Sequence, residues 1–587
     1  MSNQRRTELN GLISRYMAGD LTRRDFLRSV GVLAAAATVA TTGVGQIASA
    51  AAQDSGDKKI RKIGMLTNPQ ANVPIEFESI QLAASQIAEL GVEVDVQVLP
   101  NDQLSDIVWY QREDWDYTAW QMVGRSERLD PDEFIFNLFH STNVESGYNF
   151  VGYVNPEYDA KAEAQRAEVD ATARQQLVYE TQQIVATDQP YTFFAYPEAQ
   201  FAFNKQVFDE NTIVDAKGIG IKNYFTFVGA TPLGDMKDVI LNTQTSVQGI
   251  NPLYISGGPD SWVTELIWDR LMRVGADGLP VPSAATAVEW VDNQTLTVTL
   301  RDGMTWHDGQ PVTTDDVIFS FQAPAGDASP MYKPFVASID TITAEGNVLT
   351  FTLLKPNAAF LTSSLSKINL VPKHIWEPVL ADLASKEQNA EQYQEETPIG
   401  SGPFKYVNWA RAQEIILESI PDHYAAPKIG KWLLRDIPNV SAALGGLQSG
   451  EINFLSDYTG DPELFAQTVN GSPDQLKLVS TTQVGFRFLA PNHRRQPMND
   501  PAFRLAVSMV VGKDQVVANI FKGFASVADS VVSKALDFWH APDLADYASS
   551  DVEGAKSVLT AAGYTWDGDG KLQYPEGITE TLSTGGA

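Results

Sequence analysis

The chain has no cysteine among its 587 residues. That excludes disulfides, thiolate metal sites and a cysteine nucleophile, and it leaves no cysteine to carry a lipid anchor. Basic residues are scarce as well: 43 Lys and Arg stand against 73 Asp and Glu, a formal net charge of -30. Phosphate backbones are bound by clustered Lys and Arg, so nucleic acid is excluded as a partner. An acidity of this size suits a soluble exported protein or a saline habitat. Histidine is sparse and scattered (His140, His307, His374, His423, His493, His540), without the i, i+4 pairs that a His-rich metal site uses. There is no P-loop, HExxH, G-x-S-x-G or Gly-rich dinucleotide fingerprint. No cofactor, no metal and no enzymatic activity are expected. After the first fifty residues no apolar run is long enough to span a membrane.

What is present is a chain 43% hydrophobic and 20% charged, long enough for large cores and more than one lobe. Thr22-Arg23-Arg24-Asp25-Phe26-Leu27-Arg28 resembles the twin-arginine export signal at every position. An Ala-rich apolar segment runs from Val30 to about Val44, and Ala48-Ser49-Ala50 offers a cleavage site. Residues 1–52 are therefore expected to be a signal peptide, with the mature chain starting near Ala51 to Gln53.

The most informative stretch is Thr295 to Phe321. Leu296, Val298 and Leu300 alternate on one face of a strand. Asp302-Gly303 reads as a tight turn, Met304 to His307 return, and Asp308-Gly309 turns again. Thr313 caps a helix with Asp316 three positions on, and Val317, Ile318 and Phe321 supply a buried face. His307 and Asp308 sit in a turn without a partner cluster, so acid–base catalysis is not read there.

Over LRDGMTWHDGQPVTTDDVIFSF this stretch resembles the signature of the large extracytoplasmic solute-binding proteins of ABC importers, the oligopeptide/dipeptide/nickel-binding family 5. Pro398 to Phe404, Leu444 to Ile452, Leu489 to Val507 and Asp551 to Tyr564 resemble later segments of the same family. Residues 60–201 resemble its C-terminal third, through Ile87 to Asp95, Trp120 to Pro131, Gly152 to Asp159, Arg174 to Ile184 and Pro190 to Tyr196. The segments occur once each but in rotated order, which implies a circular permutation, a change tolerated where new ends fall in exposed turns.

The resemblance implies an α/β, two-lobed periplasmic-binding-protein-like fold with an extra subdomain. The second lobe would hold residues 60–201 and 489–587. The first would hold 202–274, with a junction linker near 218–237, and 396–488. The extra subdomain would be 275–395. A solute held by lobe closure, a membrane permease with its ATPase, and the twin-arginine translocase during export are the implied partners of a monomer. Location would be periplasmic, or extracellular without an outer membrane. Peptide and oligosaccharide solutes both stay open. An exported glycosidase-like hydrolase, or a sensory or adhesive surface protein, is the alternative.

In peptide-binding members a loop tryptophan packs on the ligand and an aspartate about three positions later holds its amino terminus. Trp120 fits the first role, but Val123 stands at the second. Asp130 (or Glu127) is the replacement acid considered, and Arg125 and Arg128 could receive a carboxylate or phosphate. Asn143, Tyr148, Tyr254, Trp262, Phe488 and Asn492 complete the candidate ligand-binding set.

Overall fold

The computed structural model describes residues 58–124, 128–326 and 328–578, so the expected signal peptide, Arg125 and Glu127 lie outside the described residues. The described chain opens with β1 (Ile63–Thr67), α1 (Pro74–Ala88) and β2 (Val94–Val98). Ile80, Ala83, Ala84 and Ile87 recur at helical spacing on α1 and are buried. Next come β3 (Tyr117–Met122), α2 (Asp132–Phe139), α3 (Pro156–Ala167), α4 (Ala171–Asp188) and β4 (Thr192–Asn204). The side chains of Asn155 and Asp170 accept backbone N–H groups and cap α3 and α4.

Beyond β5 (Val239–Thr243), α5 (Gly258–Ile267) and the small pair β6 (Met272–Val274) and β7 (Pro280–Pro282) lies an inserted antiparallel sheet. It holds β8 (Ala285–Trp290), β9 (Thr295–Leu300), β10 (Ile339–Glu345) and β11 (Val348–Leu353) in the order β10-β11-β9-β8. Leu296, Val298 and Leu300 are buried, and α6 (Thr314–Gln322) begins with the Thr313–Asp316 capping box. One detail of this stretch differs from the sequence reading. Met304 to His307 do not return along β9, whose partners are β8 and β11; only Thr305 bridges, to Pro311. His307 instead binds the 400–402 turn, its N–H donating to the Gly400 carbonyl at 2.8 Å.

After α7 (Lys373–Ser385) come β12 (Phe404–Ala410), β13 (Glu414–Ser419), β14 (Lys431–Asp436), α8 (Val440–Ser449), β15 (Phe454–Leu455), α9 (Pro462–Asn470), β16 (Leu476–Thr482) and β17 (Phe486–Pro491). The chain then adds α10 (Pro501–Val510), β18 (Ala525–Val527), α11 (Val552–Ala561), β19 (Thr565–Trp566) and β20 (Leu572–Gln573).

The main sheet runs β12-β13-β14-β5-β15-β4-β17-β3-β1-β2, with β16 and β18 also on β4. The 13 residues of β4 make it about twice the usual strand length. Its first half pairs with β17 and its second with β15 and β16, so it belongs to two lobes at once. One lobe has a core on each side of β1, β3 and β17; the other packs Phe203, Leu241, Trp268, Trp432 and Phe454 together, with the inserted sheet's core beside it. Gly485, at the crossing from β16 to β17, allows a tight approach: a Cβ there would lie 2.1 Å from the Met122 carbonyl oxygen. Residues 218–237, expected as a linker, are partly built into the fold. Tyr224–Gly229 is helical, and Phe227 is buried among the aromatics of that lobe because it has no polar group to hold at the surface.

The first and last described segments lie side by side. Tyr574 donates its N–H to the Lys58 carbonyl at 2.8 Å, and Ile60 to that of Leu572 at 3.0 Å. β1 and α11 bury Ile63, Met65, Ala555, Val558 and Leu559 in one core. Gly91 has φ +86°, and a Cβ there would lie 2.2 Å from the Gly570 carbonyl oxygen, so glycine permits this junction.

Candidate functional site

Strand directions place a cleft between the lobes. β4 runs from the lobe of β1–β3 into the lobe of β5, and β15 is antiparallel to it, so β5, β14 and β15 run back toward the first of these. β17 is antiparallel to β4 and β3 to β17, so β3 and its parallel neighbour β1 run the opposite way. The carboxyl ends of both parallel sets therefore face each other, and in open α/β sheets ligands bind outside those ends.

On one wall, β3 carries Trp120 directly opposite Phe488 of β17. Trp120 is half-buried and meets Trp109 edge-on, ring centres 5.9 Å apart. Trp109 in turn touches Tyr148 at 6.0 Å and Phe150 at 4.2 Å. Tyr148 keeps 50% of its surface open. Arg128 donates Nη1 to the Val123 carbonyl at 2.8 Å, which holds it next to the end of β3. A shallow recess, open to solvent, lies between Met122, Arg128, Glu133, Phe134, Asn137 and Tyr148.

On the other wall, the loop after β5 is tied to the end of β15. Gln244 donates its N–H to Asp457 Oδ2 at 2.8 Å, and Thr459 donates its N–H to Gln244 Oε1 at 2.8 Å. Tyr254 and Trp262 are half-buried beyond that loop. Lys222 places its Nζ 3.2 Å from the centre of the Trp262 ring, a cation–π contact. Burial draws its ammonium down to about 8, against the pull of Asp457 and Glu265.

Four expected ligand groups have structural duties instead. Asp130 is buried; it accepts from Arg174 Nη1 at 3.0 Å and from Thr362 Oγ1 at 2.7 Å. Burial pushes its carboxyl up, but Arg174 and these hydrogen bonds outweigh that and hold it below the usual range. Its other oxygen accepts from Arg174 Nη2 and from the Asp132 N–H, so all four acceptor positions are taken and none is left for a ligand ammonium. Asn492 is fully buried, and its Nδ2 donates to the carbonyls of Arg112, Glu113 and Trp115. Phe488 is fully buried and stacked on Tyr191 at 4.1 Å. Asn143 donates Nδ2 to the Phe136 carbonyl at 2.9 Å and braces the turn after α2. Trp109, Glu133, Asn137 and Lys222 are the cleft residues that the sequence did not mark. None belongs to a motif; only the fold brings Trp109 to Trp120, Lys222 to Trp262, and Glu133 and Asn137 to the recess beside Arg128.

His307 and Asp308 are separately engaged. His307 Nε2 meets the Gly402 carbonyl at 3.0 Å, and Asp308 pairs with His374 Nε2 at 2.8 Å. Among the described residues no cluster of three or more His, Asp or Glu side chains is placed to hold a metal ion. Among them, too, no helix is long and apolar enough to cross a membrane.

Two α/β lobes joined through shared strands, with half-exposed aromatics on both sides of the gap, define the class of two-lobed binding proteins. Residues 280–587 match the family described as bacterial extracellular solute-binding proteins, family 5 middle, and the chain belongs to that family. It is 26% identical over 334 residues to the oligopeptide-binding protein AppA of Bacillus subtilis, covering 55% of this chain and 59% of AppA. It is 24% identical over 352 residues to the dipeptide-binding protein of Escherichia coli, covering 56% of this chain and 63% of that protein. The chain thus spans about three-fifths of the length of these curated relatives, which are binding proteins. Among solved structures, AppA of Bacillus subtilis in complex with a nonapeptide aligns with a TM-score of 0.42 at 21% identity, over 58% of this chain and 67% of AppA.

Proposed function

We propose that this protein is the extracytoplasmic substrate-capturing component of an ABC importer. A small solute, peptide-like or otherwise, is enclosed as the lobes close about the shared strands and is delivered to a membrane permease, whose own ATPase supplies the energy. The protein performs no chemistry on its ligand. It is exported by the twin-arginine route and works as a monomer. The observation that carries this reading is the pair of facing walls, Trp120, Trp109 and Tyr148 against Trp262 and Tyr254, at the carboxyl ends of parallel strands.

Mass spectrometry of the protein under non-denaturing conditions is expected to show a co-purified solute, and re-adding it to stripped protein should raise the melting temperature without turnover. Trp120→Ala is expected to weaken binding of that solute by about tenfold or more, about 1.4 kcal/mol, with the fold retained. Unchanged affinity in that variant would remove Trp120 from the site.

We also propose that the chain is a rotated version of the family order, with residues 58–201 following 489–578 in the unrotated form. The pairing of residues 58–60 with 572–574 and the shared core of β1 and α11 support this.

A further inference from the structure

One turn of the inserted subdomain reaches across to the lobe of β1–β3. Residues Leu361–Leu365 form a wide π turn, and Phe360 and Leu365 are buried in the inserted sheet's own core, so the turn belongs to that body. Its polar groups meet the other lobe. Thr362 donates Oγ1 to Asp130 Oδ2 at 2.7 Å, and the Ala358 N–H donates to the Arg166 carbonyl at 2.6 Å. Arg166 stands in the last turn of α3, where a carbonyl has no later helical N–H to accept from, so the inserted subdomain caps a helix of the opposite lobe. The receiving surface is held firmly: Arg174 fixes Asp130, and Asp132 fixes the Arg166 guanidinium at 2.7 Å.

Each partner in this contact has somewhere else to turn. Asp130 keeps Arg174 through Nη1 and Nη2, Thr362 Oγ1 also lies 3.0 Å from the Ala359 carbonyl, and water can take up the Ala358 N–H and the Arg166 carbonyl. Parting therefore strands no buried charge. The junction with the first lobe is of another kind, because Val371, Trp376 and Ala390 are buried in the same core as Trp268 and Trp432. A shared apolar core on one side and polar bonds on the other make the inserted subdomain a rigid extension of the first lobe and a detachable neighbour of the second. Other contacts between these bodies, Lys217 with Asp537 and Leu279 on the core that contains Leu536, lie beside the crossing strands, where Gly218 bridges Gln483 and Ser533 donates to the Gln483 carbonyl at 2.7 Å.

We propose that this turn is a clasp. Through Thr362 on Asp130 and Ala358 on Arg166, the inserted subdomain holds the second lobe in the closed arrangement, and the lobes part at this contact when the cleft opens. The Thr362 hydroxyl on a carboxylate is a charge-assisted bond, the stronger of the two. Both are weak enough in net terms to break and re-form as the lobes move. The clasp gives the inserted subdomain a part in closure that needs no contact with the solute. This assignment rests on the lobe-closure reading above and says where closure is held.

The test is hydrogen exchange of the purified full chain, read at the Ala358 amide by fragmentation mass spectrometry and compared with the amides of β9, an interior strand of the inserted sheet. In wild type the Ala358 amide is expected to exchange at least about tenfold faster than those of β9, because lobe separation exposes it without unfolding. Thr362→Val should speed Ala358 exchange by about a further tenfold and leave β9 and the melting temperature close to wild type, while Thr362→Ser, which keeps the hydroxyl, should restore the slower rate. Ala358 exchange as slow as that of β9 in wild type would overturn the proposal, and this comparison decides alone if Thr362→Val does not fold. A Thr362→Val chain with unchanged Ala358 exchange, or with β9 accelerated equally, would overturn it too. No ligand enters this measurement. If the exchange result fails while a co-purified solute is found and Trp120→Ala releases it, the clasp alone falls; if no solute is found, the cleft reading falls on its own test.

Discussion

Asp130 and Arg174 show how a single buried pair sets the protein's response to acid. Arg174 is 4% exposed and donates to Asp130 and to Gln165 Oε1. Asp130→Asn would leave that guanidinium buried without an anion, and a loss of about 3–5 kcal/mol in urea unfolding at pH 7 is expected. The pH dependence follows from the direction of each shift. The carboxyl of Asp130 is held below its unfolded value, so its contribution is complete above about pH 4 and is lost as pH falls through the lower, folded value. Burial, with Arg504 and Arg494 nearby, holds the His493 imidazole well below its usual value, and its Nε2 meets the Pro190 carbonyl at 3.1 Å. The native ring stays neutral while the unfolded one takes up a proton, so stability also falls as pH drops below about 6.5. Unfolding of Asp130→Asn across pH should keep the decline that starts near 6.5 and lose much of the one below 4. In sequence, Asp130 before Pro131 signals only a helix start. Its partners lie 44 and 232 residues away, beyond the reach of any local pattern.

Local elements were more legible, because their causes are short-range. The alternation of Leu296, Val298 and Leu300, the Thr313–Asp316 box and the buried stripe of α1 follow from periods of two and of 3.6 residues. Thr313→Ala removes the acceptor for the Asp316 N–H and is expected to cost about 1 kcal/mol by thermal unfolding. α6 packs Val317 and Phe321 into the inserted sheet's core, so solute affinity should stay at the wild-type value. A tenfold change in that affinity would mean that this stretch reaches the ligand. The segment Asp102 to Gln111 was harder to read. It reads as one helix, but it splits into an α turn, Asn101–Ser105, and a wider π turn, Asp106–Gln111, closed by Arg112 at φ 65°. Such wide turns recur at functional sites. Here the wide turn contains Trp109, which meets Trp120 and Tyr148.

At the scale of the whole molecule, the proposed rotation can be tested by undoing it. A chain running 238–578, then a short flexible linker, then 58–237 opens the backbone in the exposed stretch 233–237 and closes it where Lys58 and Tyr574 already touch. Closing a short loop between neighbouring ends costs little. This reordered chain is expected to fold with a similar melting temperature and to bind the same solute. Failure to fold, with wild-type protein cleaved at 237/238 remaining intact and active, would refute the rotation. The sequence by itself determined the caps, the turns and the buried faces of local strands and helices. Each of these is written in neighbouring residues whose geometry is set by backbone period, glycine and proline. Only the tertiary structure decided which polar and aromatic groups are available to a ligand. Availability depends on what else a side chain touches. β4, β17 and β3 bring Trp120 beside Phe488, bury Phe488 and leave Trp120 partly open, while Arg174 claims Asp130.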